Sequence, residues 1–193
     1  SGYVGGMEGA GWRLQALEMF VFSPPLMRQM IETGVYPASD VARLFTYVFV
    51  HGGTTHALFV VVILLALGKM VGEVFRWWAV VVVFFASAAA GALAFMAVPG
   101  NAAPLFGGYP AVYGLIGAFT FLLWVNLAAV GANKYRAFSF IGFLLGIQLL
   151  FGVLFGGGYE WVADLAGFVC GFLLSFVVSP GGWKRVLAKV RDR

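Results

Sequence analysis

The 193-residue chain is 62% hydrophobic and only 10% charged, with a formal net charge of +4, whereas soluble domains run at roughly 45–50% and about 25%. So few polar side chains cannot cover a globule of this size, which excludes a soluble fold. A bilayer core about 30 Å thick takes roughly 20 apolar residues per helical crossing, so the length allows about five spans and one sizeable loop in a single membrane domain.

Residues 1–52 hold Glu8, Glu18, Glu32 and Asp40 together with the breakers Pro24, Pro25 and Pro37. No stretch there lacks charge for long enough to span. The short amphipathic runs, such as Trp12–Phe22, predict an extracytoplasmic loop region whose helices lie on the membrane interface, with Trp12 and Phe20 facing lipid or bundle. From Thr54 the pattern changes to apolar segments at 54–75, 77–98, 110–130, 137–156 and 161–179, separated by short polar or Gly/Pro-rich joints. In a bilayer each backbone group needs an internal partner and no alternating barrel pattern is present, so these are helices. The expected fold is an all-α polytopic membrane helix bundle over 53–180, followed by a basic tail at 181–193. The single cysteine, Cys170, falls inside an apolar segment and reads as a small core residue.

Lysine and arginine are distributed by side. The joints at 69–76 and 134–136 and the tail at 184–193 carry nine of the twelve cations: Lys69, Arg76, Lys134, Arg136, Lys184, Arg185, Lys189, Arg191 and Arg193. The opposite joints, 99–109 and 157–160, carry none. The positive-inside bias puts the C-terminus in the cytoplasm of a multi-pass protein of the cell (inner) membrane. This distribution follows topology, so the net charge implies no nucleic-acid partner. Five crossings leave Ser1 outside, and residues 1–10 have neither a basic nor an apolar export segment. A sixth, N-terminal span is therefore expected before Ser1.

Three segments carry a resemblance. The first is RLFTYVFVHGGTTH, from Arg43 through His51 to His56; the second is GGYPAVYGLIG, from Gly107 through Tyr113 to Gly117; the third is ADLAGFVCG, from Ala163 through Gly167 to Gly171. In order and placement they resemble the rhomboid family of intramembrane serine proteases, whose second segment reads G-A-S-G-A-V-Y-G-L-x-G and whose third reads A-H-L-G-G-x-x-x-G. The resemblance implies a rhomboid-like bundle, with His56 retained from the groups that hold the oxyanion. It also implies a degenerate former active site made of Tyr109, Asp164, His56, Val60 and Tyr113. Tyr109 stands at the position of the nucleophilic serine, four residues before Tyr113. Asp164 stands at the position of the histidine base, and Val60 at that of an oxyanion-holding asparagine.

Serine attacks only when an adjacent base near neutral pKa takes its proton. A carboxylate near its reference pKa of about 4 is a poor base toward a phenol near 10, and an aryl ester is bulky in a site shaped for a small hydroxyl. Loss of a serine–histidine pair costs many orders of magnitude in comparable hydrolases. An aspartyl protease needs two carboxylates, yet Asp164 is the only acid well inside a span, with Glu73 and Glu160 at opposite ends. Metalloprotease chemistry wants histidines at i and i+4 with a glutamate, whereas His51 and His56 are five apart with none between. Either histidine also suits a haem or chlorophyll ligand, against hydrogen bonding at the start of the helix; no cofactor or metal is expected.

Asp164 is an ionisable group within a span, which by default points to function. Its structural alternative is acceptance of a hydrogen bond from the Tyr109 hydroxyl. Small residues at four-residue spacing, Ala163, Gly167, Gly171, Ser175 and Ser179, make a helix-packing ridge, with Gly114, Gly117 and Ala118 as counterpart. Gly142 and Gly146 form a second small pair, facing core or partner. The expected protein is a pseudoprotease that binds transmembrane helices of partner proteins, as a chaperone, assembly factor or accessory subunit. The alternatives are a hydrolase with altered chemistry at Tyr109, Asp164 and His56, or a proton or small-molecule path centred on Asp164.

Overall fold

The computed structural model describes residues 14–155 and 157–181. Trp12 and the basic tail from Gly182 onward lie outside the described residues. Within them the architecture is all helical, with no strand beyond one isolated antiparallel bridge between Phe22 and Leu105. After a helical stretch at 14–20 come two short helices, α1 (Pro24–Thr33) and α2 (Ala38–Thr46), and a 3-10 turn at Tyr47–Phe49. Five longer helices follow: α3 (Thr54–Gly72), α4 (Trp77–Ala97), α5 (Tyr109–Ala129), α6 (Ser139–Phe155) and α7 (Glu160–Val178).

Each long helix falls within three residues of an expected apolar segment. Four of them, α3, α4, α5 and α7, are long and apolar enough to cross a membrane. The fifth, α6, has 17 residues, the lower end of the spanning range. It is shortened because Lys134–Phe138 winds as a 3-10 turn ahead of it, with Asn133 Oδ1 accepting from the Tyr135 amide at 3.1 Å.

The short helices follow ordinary end rules. Proline occupies the first turn of α1, where its missing N–H is harmless, and Gly34 closes the helix in the left-handed region at φ 69°. Arg28 fastens α1 to the bundle: Nη1 donates to the Asn101 carbonyl at 2.9 Å and Nη2 to those of Met96 at 2.6 Å and Val98 at 3.1 Å. The Met96 and Val98 carbonyls belong to the C-terminal end of α4, where a guanidinium is a favoured partner, and Asn101 lies in the loop just beyond. Arg43 does the same for the preceding segment, donating to the carbonyls of Glu18 and Val21 and pairing with Asp40. Phe20 is exposed, while Phe22 and Tyr47 are fully buried.

The centre of the bundle is α5, which packs most extensively on α7, with α4 against both. Gly171 lies so close to Gly114 that an added Cβ would overlap the Gly114 carbonyl, and a Cβ on Gly167 would overlap the carbonyl of Pro110. One on Gly117 would run into the Phe168 carbonyl, and one on Gly114 into the Ser87 side chain. Without a hydrophobic driving force between helices in lipid, such backbone-to-backbone approach is what supplies dispersion contact. The periphery is different. Added Cβ atoms on Gly68 and Gly72 of α3, or on Gly142 and Gly146 of α6, would meet nothing within 4 Å among the other described elements.

Candidate functional site

The helices α3, α5 and α7 all begin at the same end of the bundle, and there the polar residues converge. The loop before α5 is stitched in place from both sides. Phe22 and Leu105 exchange backbone hydrogen bonds at 3.1 and 2.9 Å, and the Gly107 amide donates to the Tyr47 carbonyl at 3.0 Å. Tyr47 is itself anchored by its hydroxyl, which donates to the Ala88 carbonyl at 2.8 Å. Burial, reinforced by the charge of Asp164, holds that phenol above its ordinary range, so it remains a donor. Gly107 adopts φ 99°, a conformation that disfavours any side chain.

Two imidazoles rest on this loop. A Cβ on Gly107 would come within 2.7 Å of His56 Cε1, and one on Gly108 within 2.7 Å of Val60 Cγ1. The Tyr109 ring stacks on His56, centroids 4.8 Å apart and planes 19° from parallel. His56 in turn meets His51 edge-on at 5.2 Å. His51 Nδ1 lies 3.2 Å from the Phe49 carbonyl; a carbonyl only accepts, so that bond places the proton on Nδ1. The Nε2 atoms of both histidines are enclosed and without a protein partner. Val60, 3% exposed, joins the apolar core with Val112, Tyr113 and Leu115 and supplies no donor.

The expected Tyr109–Asp164 hydrogen bond does not form. Asp164, 3% exposed on the second turn of α7, instead accepts from Gln148 Nε2 at 2.7 Å. Gln148 Oε1 lies 3.4 Å from the Tyr113 hydroxyl, at the long limit for a hydrogen bond. The stacking on His56 draws the Tyr109 ring to the α3 side, while α6 brings an amide to the carboxylate from the other. A Tyr113–Gln148–Asp164 chain thus joins α5, α6 and α7. Gln148 was missed in the sequence reading, although a lone amide in an otherwise apolar segment needs a partner in lipid and was the available signal.

Of the expected site residues, Tyr109, His56 and Val60 therefore gather around the Gly107–Gly108 loop, while Tyr113 and Asp164 meet through Gln148. Tyr109 and Asp164 share no hydrogen bond. No group of three or more potential metal ligands occurs among the described residues.

A bundle of apolar helices with these polar groups at one end of its central trio defines a polytopic helical membrane protein of intramembrane-site type. A family model described as "Rhomboid domain" matches residues 38–181, and the chain belongs to the rhomboid family. It is similar to RHOMBOID-like protein 1 of Arabidopsis thaliana, with 31% identity over 138 residues, covering 72% of this chain and 34% of that protein. The chain thus spans about a third of that relative's length. No solved structure matches.

Proposed function

We propose that this rhomboid protein is non-proteolytic and binds transmembrane helices of partner proteins, as a chaperone, assembly factor or accessory subunit of a membrane complex. The observation that carries the reading is the state of the two dyad positions. The Tyr109 ring stacks on His56, the Asp164 carboxylate accepts from Gln148, and no hydrogen bond joins the two side chains, so they do not form an assembled nucleophile–base pair. A phenol that is not bonded to a base has no direct route for its proton, and a carboxylate is a poor base toward a phenol whose reference pKa is near 10.

Helix binding is supported by α6. One face, Ile141, Leu144, Leu145 and Gln148, turns to the bundle. Gly142 and Gly146 turn away from it, as do Gly68 and Gly72 on α3. Small residues four apart let a second helix approach closely in lipid, and here they have no partner among the described residues. In the orientation we infer, the joints at 73–76 and 130–138 face the cytoplasm and residues 14–52 lie outside, in the cell (inner) membrane.

The test has two arms. Purified protein reconstituted with generic rhomboid substrates should show no cleavage and no labelling by serine-directed phosphonates. A photo-crosslinker at Phe143 should yield adducts with a transmembrane segment of another protein, lost in the Gly142→Leu/Gly146→Leu double variant. Cleavage abolished by Tyr109→Phe or Asp164→Asn would replace this reading with that of an altered hydrolase.

A further inference from the structure

At the other end of the bundle, away from the histidines, a cleft of about 550 Å³ opens between α3 and α5 beside the end of α7. Its walls are apolar, with Val74, Phe119, Leu122 and Val125 among them, and its rim carries Glu73, Asn126 and Ser179. Water does not stay in an apolar cleft, and a crevice facing lipid at this depth fills with an acyl chain. The rim sits at headgroup level. Glu73 caps α3 after 19 residues, about 28 Å of helix, close to the thickness of the hydrocarbon core. The neighbouring Trp77 and Trp78 are exposed, as interfacial aromatic residues are.

Two groups at that rim lack partners. Glu73 is exposed and makes no ion pair among the described residues, although Lys69 lies one turn away on the same helix. Ser179 is 7% exposed, lines the cleft, and its Oγ has no hydrogen-bond partner. A buried hydroxyl left unmatched is costly, so a polar atom of a ligand belongs opposite it. We propose that this cleft holds one phospholipid whose headgroup bears a primary ammonium, with the ammonium on Glu73, the phosphate or ester oxygens on Ser179 and Asn126, and an acyl chain along Val74, Leu122 and Val125.

The charge at the rim selects the lipid class. An anionic headgroup such as phosphatidylglycerol has no cation to set against the Glu73 carboxylate. A quaternary ammonium has no N–H to give to the carboxylate, whereas a primary ammonium has three donors. The adjoining cleft, which shares Ser179 and Pro180, is also lined by Arg76, a cation that suits a phosphate bound at Ser179. This site is distant from the Tyr109–His56 group and does not rest on the helix-binding reading.

The experiment is native mass spectrometry of the full chain released from nanodiscs of equimolar phosphatidylethanolamine, phosphatidylcholine and phosphatidylglycerol. The wild type should retain one phosphatidylethanolamine at least fivefold over either competitor. Glu73→Gln, at an exposed position, should bring the ratio to phosphatidylcholine near one, and Ala129→Trp, which fills the cleft, should remove the retained lipid altogether. Equal retention of the three lipids by the wild type would overturn the proposal, as would an ethanolamine preference that survives either substitution.

Discussion

Asp164 shows how a buried carboxylate in a bundle is satisfied by whichever donor the packing delivers. Its partner is Gln148 at 2.7 Å, so the two residues stand or fall together. Replacing Gln148 with Leu leaves the carboxylate without its donor and should destabilise the protein by about 1–3 kcal/mol. Asp164→Asn keeps an acceptor for the same amide and should cost less than about 1 kcal/mol by the same reasoning. Reversible unfolding in mixed micelles reads both, and a double-mutant cycle with Leu at the two positions should show a coupling of about 0.5–3 kcal/mol. Strictly additive effects would mean that the bond contributes nothing. Tyr109→Phe retains the ring on His56 and removes a hydroxyl that bonds no described residue, so its effect should stay within about 0.5 kcal/mol.

At the level of the helices, glycine is used in two opposite ways. On α5 and α7, Gly114, Gly117, Gly167 and Gly171 stand where backbone meets backbone. On α6, Gly142 and Gly146 face away from the other described elements. Gly171→Ala places a methyl against the Gly114 carbonyl, and neither backbone can give way, so the loss should reach about 1–3 kcal/mol or more. Gly142→Ala should leave stability within about 0.5 kcal/mol, and alanine there is still small enough for a helix contact. Equal melting behaviour of the two variants in detergent would contradict the α5–α7 packing. The α6 helix is also the one attached chiefly along a single face, through Ile141, Leu144 and Leu145 with Gln148 as its polar tie.

For the whole molecule, the testable property is orientation. The aromatic and basic side chains gather at the end that holds the 73–76 and 130–138 joints. Trp77 and Tyr135 are highly exposed there, and Lys134 sits over the Trp124 ring at 5.3 Å. If that end is cytoplasmic, a cysteine placed at the exposed Ala103 should react with a membrane-impermeant maleimide in intact cells. One placed at the exposed Ala132 should react only after the membrane is opened. The reverse pattern would invert the orientation and put the histidine end in the cytoplasm.

The sequence by itself determined the membrane class, the positions of the five long helices to within three residues and the small-residue ridge on the last of them. Rhomboid membership was also legible there, through the Arg43–His56, Gly107–Gly117 and Ala163–Gly171 segments. Those features are local: hydropathy runs and residue spacing survive whatever the helices do next. Only the tertiary structure decided that Asp164 pairs with Gln148 rather than Tyr109, and that Tyr109 lies on His56. It alone placed Gly142 and Gly146 outside the bundle and opened a cleft beside Glu73. In water an apolar stripe tells which face of a helix is buried. In lipid the core and the surroundings are equally apolar, so the sequence carries no such mark, and the rotation of each helix is set by close packing and by the few polar groups that must find one another.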